Sequence, residues 1–288
     1  MVDCCLDFGI NHFDTANVYH DGAAETILGR VIRRRRADVV LATKVRMPLR
    51  EPAEPGGLSA PAVRAALHAS LRRLGTDYVD LYYLHQPDWA VPIEETLEVL
   101  AELVDEGKIR YAGFSNYAAW QVAQAHCYAE AAKLPRIHVS QVMYNLIARH
   151  LDDEYADFSS EYAMANVAYN PLAGGLLTGK HRPDDTPPDA SRFTLPAYRE
   201  RYWNDRQFAA VDSLAEVARA HGLSLIELSY RWLLSRQVVD VVLVGASSLQ
   251  QLELNLAAAE GPPLDASALQ ECDEVWQRLR GPVPKYNR

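Results

Sequence analysis

The sequence predicts an α/β chain of the (β/α)8 TIM-barrel class, and three observations carry the prediction. Short apolar or β-branched runs alternate with longer stretches of helical periodicity from one end to the other. Clusters of polar residues recur where the apolar runs end, and in a parallel barrel the loops after the strands share one face. The length of 288 residues suits one barrel, and no repeat or low-complexity linker divides it.

Residues 2–9 read as the last turns of a helix that stops at Gly9. Candidate strands follow at 10–13, 39–43, 79–84, 111–114, 139–142, 167–169 and 241–244. Ser59-Ala60-Pro61 opens a helix whose apolar stripe is Val63, Leu67, Leu71 and Leu74. Residues 92–106 form another, stopped by Gly107. Residues 224–234 form a third, with Ser224 and Glu227 as a capping box. The alternation implies parallel strands joined by right-handed crossovers.

Seven strands are counted where a closed barrel needs eight. The expectation is therefore a single domain over 1–288, N-terminally truncated, lacking the first strand and most of the first helix. The open edge would present unpaired backbone groups. Residues 46–58 (Pro48, Pro52, Pro55, Gly56, Gly57) and 181–198 (Pro183, Pro187, Pro188, Pro196) should overhang the face where substrate is selected. The tail at 282–286 either closes over that face or is disordered.

Composition narrows the class. The chain is 49% hydrophobic and 23% charged, as soluble globular proteins are. A formal charge of −9 gives no support to nucleic-acid binding. The one dense basic run, Arg33 to Arg36, reads as the solvated end of a helix. Cys4, Cys5, Cys127 and Cys272 show neither metal-ligand spacing nor a disulfide framework, so no metal and a reducing, cytoplasmic location are expected. Asp3 and Asp7 follow Met1 where a signal peptide would be basic and then apolar. No run approaches the roughly 20 apolar residues of a membrane span.

Four strand-end clusters carry the candidate chemistry: Phe13 to Tyr19, Thr43-Lys44, Tyr83-Leu84-His85 and Gly113 to Asn116. Together they would bring a carboxylate, a phenol, an ammonium and an imidazole to one face. That set suits delivery of a proton to a carbonyl oxygen while a hydride reaches its carbon. Singly, Asp14 reads as a turn cap, Tyr19 as an ordinary aromatic, Lys44 as a solvated lysine and His85 as a structural histidine. Their recurrence at successive strand ends is what argues for a set.

With Ala42-Thr43-Lys44, Gln141 to Asn145, and Tyr-Asn-Pro-Leu-Ala-Gly-Gly-Leu-Leu-Thr-Gly-Lys at 169–180, the chain resembles the aldo-keto reductase family along nearly its whole length. The resemblance places Asp14, Tyr19, Lys44 and His85 at the family's catalytic positions. A phenol of ordinary pKa near 10 donates its proton poorly, and a neighbouring ammonium stabilises the phenolate. Lys44 would supply that charge and Asp14 would hold Lys44. Tyr19 would be the acid in reduction and the base in oxidation, with His85 hydrogen-bonding the carbonyl oxygen.

The same resemblance implies NADP(H) or NAD(H) lying extended over the barrel mouth. No Gly-x-Gly-x-x-Gly follows a strand, so a Rossmann site is not indicated. Ser115, Asn116 and Gln141 would bind the carboxamide, and Tyr169 would stack on the nicotinamide. Asn170, Leu172 and Gly174 would approach the pyrophosphate, although Gly174 also reads as a simple turn residue. Gly245, Ser247, Gln251 and Asn255 would meet the adenosine half. Many family members carry a cation at the place of Gly245, Ser247 or Gln251, and this chain does not; serine and glutamine bind a 2′-phosphate without neutralising it. Leu254 stands where an acidic adenine contact is common. The expected activity is interconversion of small aldehydes or ketones and alcohols. A slow cofactor-binding redox sensor, or an inactive truncated paralogue, are the alternatives.

Overall fold

In a computed structural model, the structure describes residues 1–50, 56–187, 189 and 191–284. Pro52 and Pro55 of the first predicted overhang, Pro188 of the second, and Lys285 and Tyr286 of the tail lie outside the described residues. The chain divides into two compact units, residues 1–141 with 162–165, and residues 142–161 with 166–288. All seven expected strands form, and they follow one another in a single sheet in chain order. The architecture is the α/β topology expected, with seven strands among the described residues where the closed barrel has eight.

The first unit runs α1 (Val2–Asp7), β1 (His12–Asp14), α2 (Ala23–Ile32), β2 (Val40–Val45), α3 (Ala60–Leu74), β3 (Val79–Leu84), α4 (Ile93–Asp105), β4 (Ile109–Ser115), α5 (Ala119–Ala132) and the start of β5 (Val139–Met143). Its pairings are parallel, with Asp14 opposite Ala42, Lys44 opposite Tyr83, Tyr83 opposite Gly113 and Ser115 opposite Gln141. Every residue of β3 is buried, because helices cover a parallel strand on its outer face and the interior on the other. The predicted stripe Val63, Leu67, Leu71 and Leu74 is buried. Ser59 does sit at the start of α3, but its hydroxyl does not cap it; the Ala60 amide donates instead to Glu95 Oε1 at 2.7 Å.

Arg33 to Arg36 correct one expectation. They form a short 3-10 turn (residues 33–38), and Arg36 is not simply solvated. Its guanidinium pairs with Asp80 at 2.8 Å, donates to the Tyr78 carbonyl at 3.0 Å and lies 4.0 Å from the Tyr78 ring centroid. Asp80 in turn accepts from the Leu41 amide at 2.9 Å, so this arginine ties the start of β2 to β3.

The second unit contains α6 (Tyr155–Glu161), β6 (Ala165–Tyr169, apart from Ala165), α7 (Pro196–Tyr202), α8 (Asp205–Ala220), α9 (Leu225–Leu234), β7 (Val241–Val242), α10 (Leu249–Ala259) and α11 (Ala266–Arg280). β6 and β7 pair in parallel through Val167 and Val241, and the Leu243 amide extends the ladder to the Ala168 carbonyl at 2.9 Å. The capping box of α9 forms as expected, with the Glu227 amide donating to Ser224 Oγ and the Ser224 amide to Glu227 Oε2. Trp232 on α9 is fully buried and carries the Arg149 guanidinium 4.6 Å from its ring. Within the predicted 181–198 overhang, Arg192–Thr194 make a 3-10 turn, and Pro196 opens α7, where its fixed φ and missing N–H cost nothing.

Candidate active site

The first unit brings the four expected catalytic side chains together at the carboxyl ends of its strands. Asp14 closes β1, Lys44 is the last but one residue of β2, and His85 follows β3 directly. Tyr19 stands on the turn after β1. That turn needs three successive left-handed residues, His20 (φ 51°), Asp21 (φ 50°) and Gly22 (φ 85°), to swing the chain into α2. Asn17 Nδ2 donates to the Met47 carbonyl at 3.1 Å and pins the turn to the loop after β2.

Lys44 has no solvent exposure. Its ammonium is ion-paired with Asp14 Oδ1, donates to the Thr15 carbonyl at 2.9 Å and lies 3.5 Å from the Tyr19 hydroxyl. Gln141 Nε2 donates to the other Asp14 oxygen at 2.8 Å, so the carboxylate is held from both sides. Tyr19 itself is 40% exposed, which leaves its phenol open to an incoming molecule. The rings of Tyr19 and His85 meet edge to face at 5.9 Å.

Burial lowers the His85 pKa to about 4, and the Lys44 charge pushes in the same direction against the opposing pull of Asp14. The imidazole is therefore neutral at physiological pH and carries one N–H donor. Its amide donates to the Val45 carbonyl at 2.9 Å, which fixes the residue beside the end of β2. Tyr83 is fully buried beneath this group; its ring fills the space over Gly113, where a Cβ would sit 2.5 Å from it. Burial and then the Asp14 charge raise its pKa, offset in part by Gln141.

The candidate cofactor residues fall into three groups. In the first unit, Ser115 ends β4 and Asn116 adopts φ 60°, with Asn116 Nδ2 donating to the His85 carbonyl at 2.9 Å and to Ser115 Oγ at 3.1 Å. The Ser115 oxygen thus accepts and keeps its own proton to donate. In the second unit, Tyr169 closes β6, and Asn170 (φ 66°) locks the turn that follows. Its Oδ1 accepts from the Gly174 amide at 2.7 Å and its Nδ2 donates to Tyr202 Oη at 2.8 Å. The Leu172 carbonyl accepts from the Gly175 amide at 2.8 Å.

The third group lies at the start of α10. Ser248 Oγ caps the helix by accepting from the Gln251 amide at 3.2 Å, and Ser247 Oγ donates to Gln251 Oε1 at 2.8 Å. Asn255 Nδ2 donates to the Gly245 carbonyl at 3.2 Å, and open space lies where a Gly245 Cβ would be. Every side chain in this group is neutral. Leu254, at the place of the common acidic contact, is 58% exposed.

Sequence reasoning missed the support beneath the candidate catalytic group. Glu25 on α2 is fully buried, accepts from Thr43 Oγ1 at 2.5 Å and pairs with Arg73 Nε on α3 at 2.6 Å. It therefore binds the element after Tyr19 to the residue before Lys44. The one available signal was a carboxylate in the first turn of a helix otherwise apolar on that face.

The model of the Aldo/keto reductase family matches residues 1–277. The chain is 35% identical to rat (Rattus norvegicus) aflatoxin B1 aldehyde reductase member 2, over 98% of this chain and 81% of that protein. It is 37% identical to human (Homo sapiens) aldo-keto reductase family 7 member A3, over 98% and 89% respectively. It is also 36% identical to a probable voltage-gated potassium channel subunit beta of Arabidopsis thaliana, over 92% and 82%. With these strand ends, this ordered alternation and these relatives, the chain belongs to the aldo/keto reductase family.

Proposed function

We propose that this chain interconverts aldehydes or ketones and alcohols with NADP(H) or NAD(H), and that Tyr19 handles the proton. The observation that carries the reading is the Lys44 ammonium, buried, held by Asp14 and 3.5 Å from the Tyr19 hydroxyl. In reduction the Tyr19 hydroxyl passes its proton to the carbonyl oxygen. The phenolate left behind meets the fixed positive charge of Lys44, which has no solvent exposure of its own. Neutral His85 donates its N–H to the same oxygen and sets the carbonyl's orientation. In oxidation the phenolate takes the alcohol's proton back.

When bound, a nicotinamide cofactor supplies the hydride. The residues named for it suit such a group: a donor hydroxyl at Ser115, uncharged hydrogen-bonding side chains at Ser247 and Gln251, and open space at Gly245. Ser115, Asn116 and Gln141 would hold the carboxamide and Tyr169 the ring. Asn170, Leu172 and Gly174 would line the pyrophosphate, and Gly245, Ser247, Gln251 and Asn255 the adenosine half. The family match over residues 1–277 supports treating the chain as one barrel domain. The free state of Cys4, Cys5, Cys127 and Cys272 supports a cytoplasmic location.

A single-turnover experiment tests the reading. Loss of reduced-nicotinamide absorbance on adding an aldehyde is expected with one or both cofactors. Tight cofactor binding with no consumption would favour the sensor reading instead, which the likeness to a probable potassium channel subunit beta supports. Failure to bind either cofactor would identify an inactive paralogue.

A further inference from the structure

A charged pair lies sealed behind the strand end that carries Lys44. Glu25, in the first turn of α2, has no solvent exposure, and the Arg73 guanidinium that neutralises it from α3 is only 15% exposed. Burying two charges together costs desolvation free energy, and an apolar pair of similar volume would fill the same space about as favourably. What a carboxylate and a guanidinium add over an apolar pair is direction, because each fixes the atoms that it bonds. The atoms fixed here belong to both segments of the proposed proton chemistry.

One carboxylate oxygen of Glu25 accepts from Thr43 Oγ1 at 2.5 Å. Thr43 and Lys44 are consecutive in β2, so their side chains leave the strand on opposite faces. Thr43 is gripped from the helix side, while Lys44 reaches Asp14, Thr15 and Tyr19 on the other. The second carboxylate oxygen accepts from Arg73 Nε at 2.6 Å. Arg73 in turn packs under the turn after Tyr19: a Cβ on Gly22 would stand 2.7 Å from its Cδ and 2.9 Å from its Nε. Gly22 closes the run of three left-handed residues, two of them bearing side chains, and such a run persists only where its surroundings impose it. The Ala24 amide donates to the Tyr19 carbonyl at 3.4 Å, which ties Tyr19 to the same helical turn that holds Glu25.

We propose that Glu25 is a positioning residue for the proton transfer: by bonding Thr43 and Arg73 it sets, from behind the strand, the 3.5 Å separation between the Lys44 ammonium and the Tyr19 hydroxyl. The inference rests on the carbonyl-reducing reading above and adds to that site a residue that acts only through others. A displacement of about 1 Å between reacting groups can lower a rate by about a hundredfold. Loosening this clamp therefore acts on turnover without altering what the site binds.

Thr43→Val tests this, because it removes the hydroxyl that Glu25 grips and keeps the shape of the side chain. With 4-nitrobenzaldehyde and NADPH or NADH, kcat should fall by about ten- to a hundredfold, while KM and cofactor affinity stay within about twofold. The solvent deuterium isotope effect on kcat should rise, because a displaced phenol makes proton transfer slower than the steps around it. Thr43→Ser, which returns the hydroxyl, should recover most of the loss. A smaller folded fraction would lower kcat and leave the isotope effect as it was; that outcome assigns the clamp a merely structural role and overturns the proposal. Native kcat in Thr43→Val overturns it too, as does failure of serine to restore the rate. Should Thr43→Val not fold, Arg73→Lys decides: it keeps the charge opposite Glu25, withdraws the guanidinium from beneath Gly22, and must give the same split between kcat and KM. A crystal structure of the folded variant provides a readout independent of turnover, in which the separation of Lys44 and Tyr19 should lengthen by about 1 Å. If the native protein reduces no aldehyde, the carbonyl-reducing reading fails by itself. That distance then still decides the proposal, and an unchanged one would refute it.

Discussion

In the proposed reaction, Tyr19 and Lys44 divide one task between an exposed and a buried side chain. The phenol must reach substrate, and it is 40% exposed; the ammonium must stay fixed, and it has no exposure. Tyr19→Phe deletes only the transferable proton. It should lower turnover by about 10²- to 10⁴-fold while cofactor affinity, read by fluorescence titration, stays within about twofold. His85 makes the second prediction at this level. Its pKa is depressed from 6.5 to about 4, so the unfolded chain takes up a proton that the folded chain refuses as pH falls between those values. Stability attributable to His85 is thus unaffected above pH 7 and declines by roughly 3 kcal/mol at most down to pH 4. His85→Asn should flatten that acid limb in denaturant titrations at successive pH values; an unaltered limb would mean another group titrates there.

Helix and strand contacts show how tightly the frame is built. Gly29 on α2 is buried, and a Cβ there would sit 2.2 Å from the Leu74 carbonyl oxygen at the end of α3. Backbone cannot yield as a flexible side chain can. Gly29→Ala should therefore cost about 3 kcal/mol by urea denaturation, even though alanine gains up to about 1 kcal/mol in helix propensity. Glu25 adds to this frame through its contacts with Thr43 and Arg73, which join α2, β2 and α3 beside the strand ends that carry Asp14 and Lys44. Elements were largely legible in the linear chain. The strand at 79–84 begins and ends where expected, and the stop at Gly107 follows from its left-handed φ of 68°. Ser59 stands at the N-cap position of α3 but its hydroxyl accepts no helix amide, and the first amide, that of Ala60, is bound by Glu95 from a different helix.

For the molecule as a whole, ligand linkage gives the most direct check. A cofactor that binds only the folded chain adds RT ln(1 + [L]/Kd), about 2.7 kcal/mol at a hundred times Kd, and should raise the melting temperature by roughly 5–10 °C. NADP(H) and NAD(H) should both do so, since the polar residues before α10 are uncharged. Ser247→Arg should shift the balance toward NADPH by about tenfold through a charge-assisted phosphate contact. An unchanged ratio of the two affinities would place the 2′-phosphate elsewhere.

Period and punctuation along the chain determined the class of fold, the number of strands and the positions of Asp14, Tyr19, Lys44 and His85 at their ends. These are local properties: an apolar run, a turn residue, a polar group at the boundary. Folding alone decided that Lys44 is dry, that Gln141 braces Asp14 at 2.8 Å, and that Arg36 is a tie between strands instead of a solvated end. Burial and pairing depend on which side chains from distant segments arrive at the same place, and that information is shared across the sheet and its helices, with no single stretch of sequence holding it.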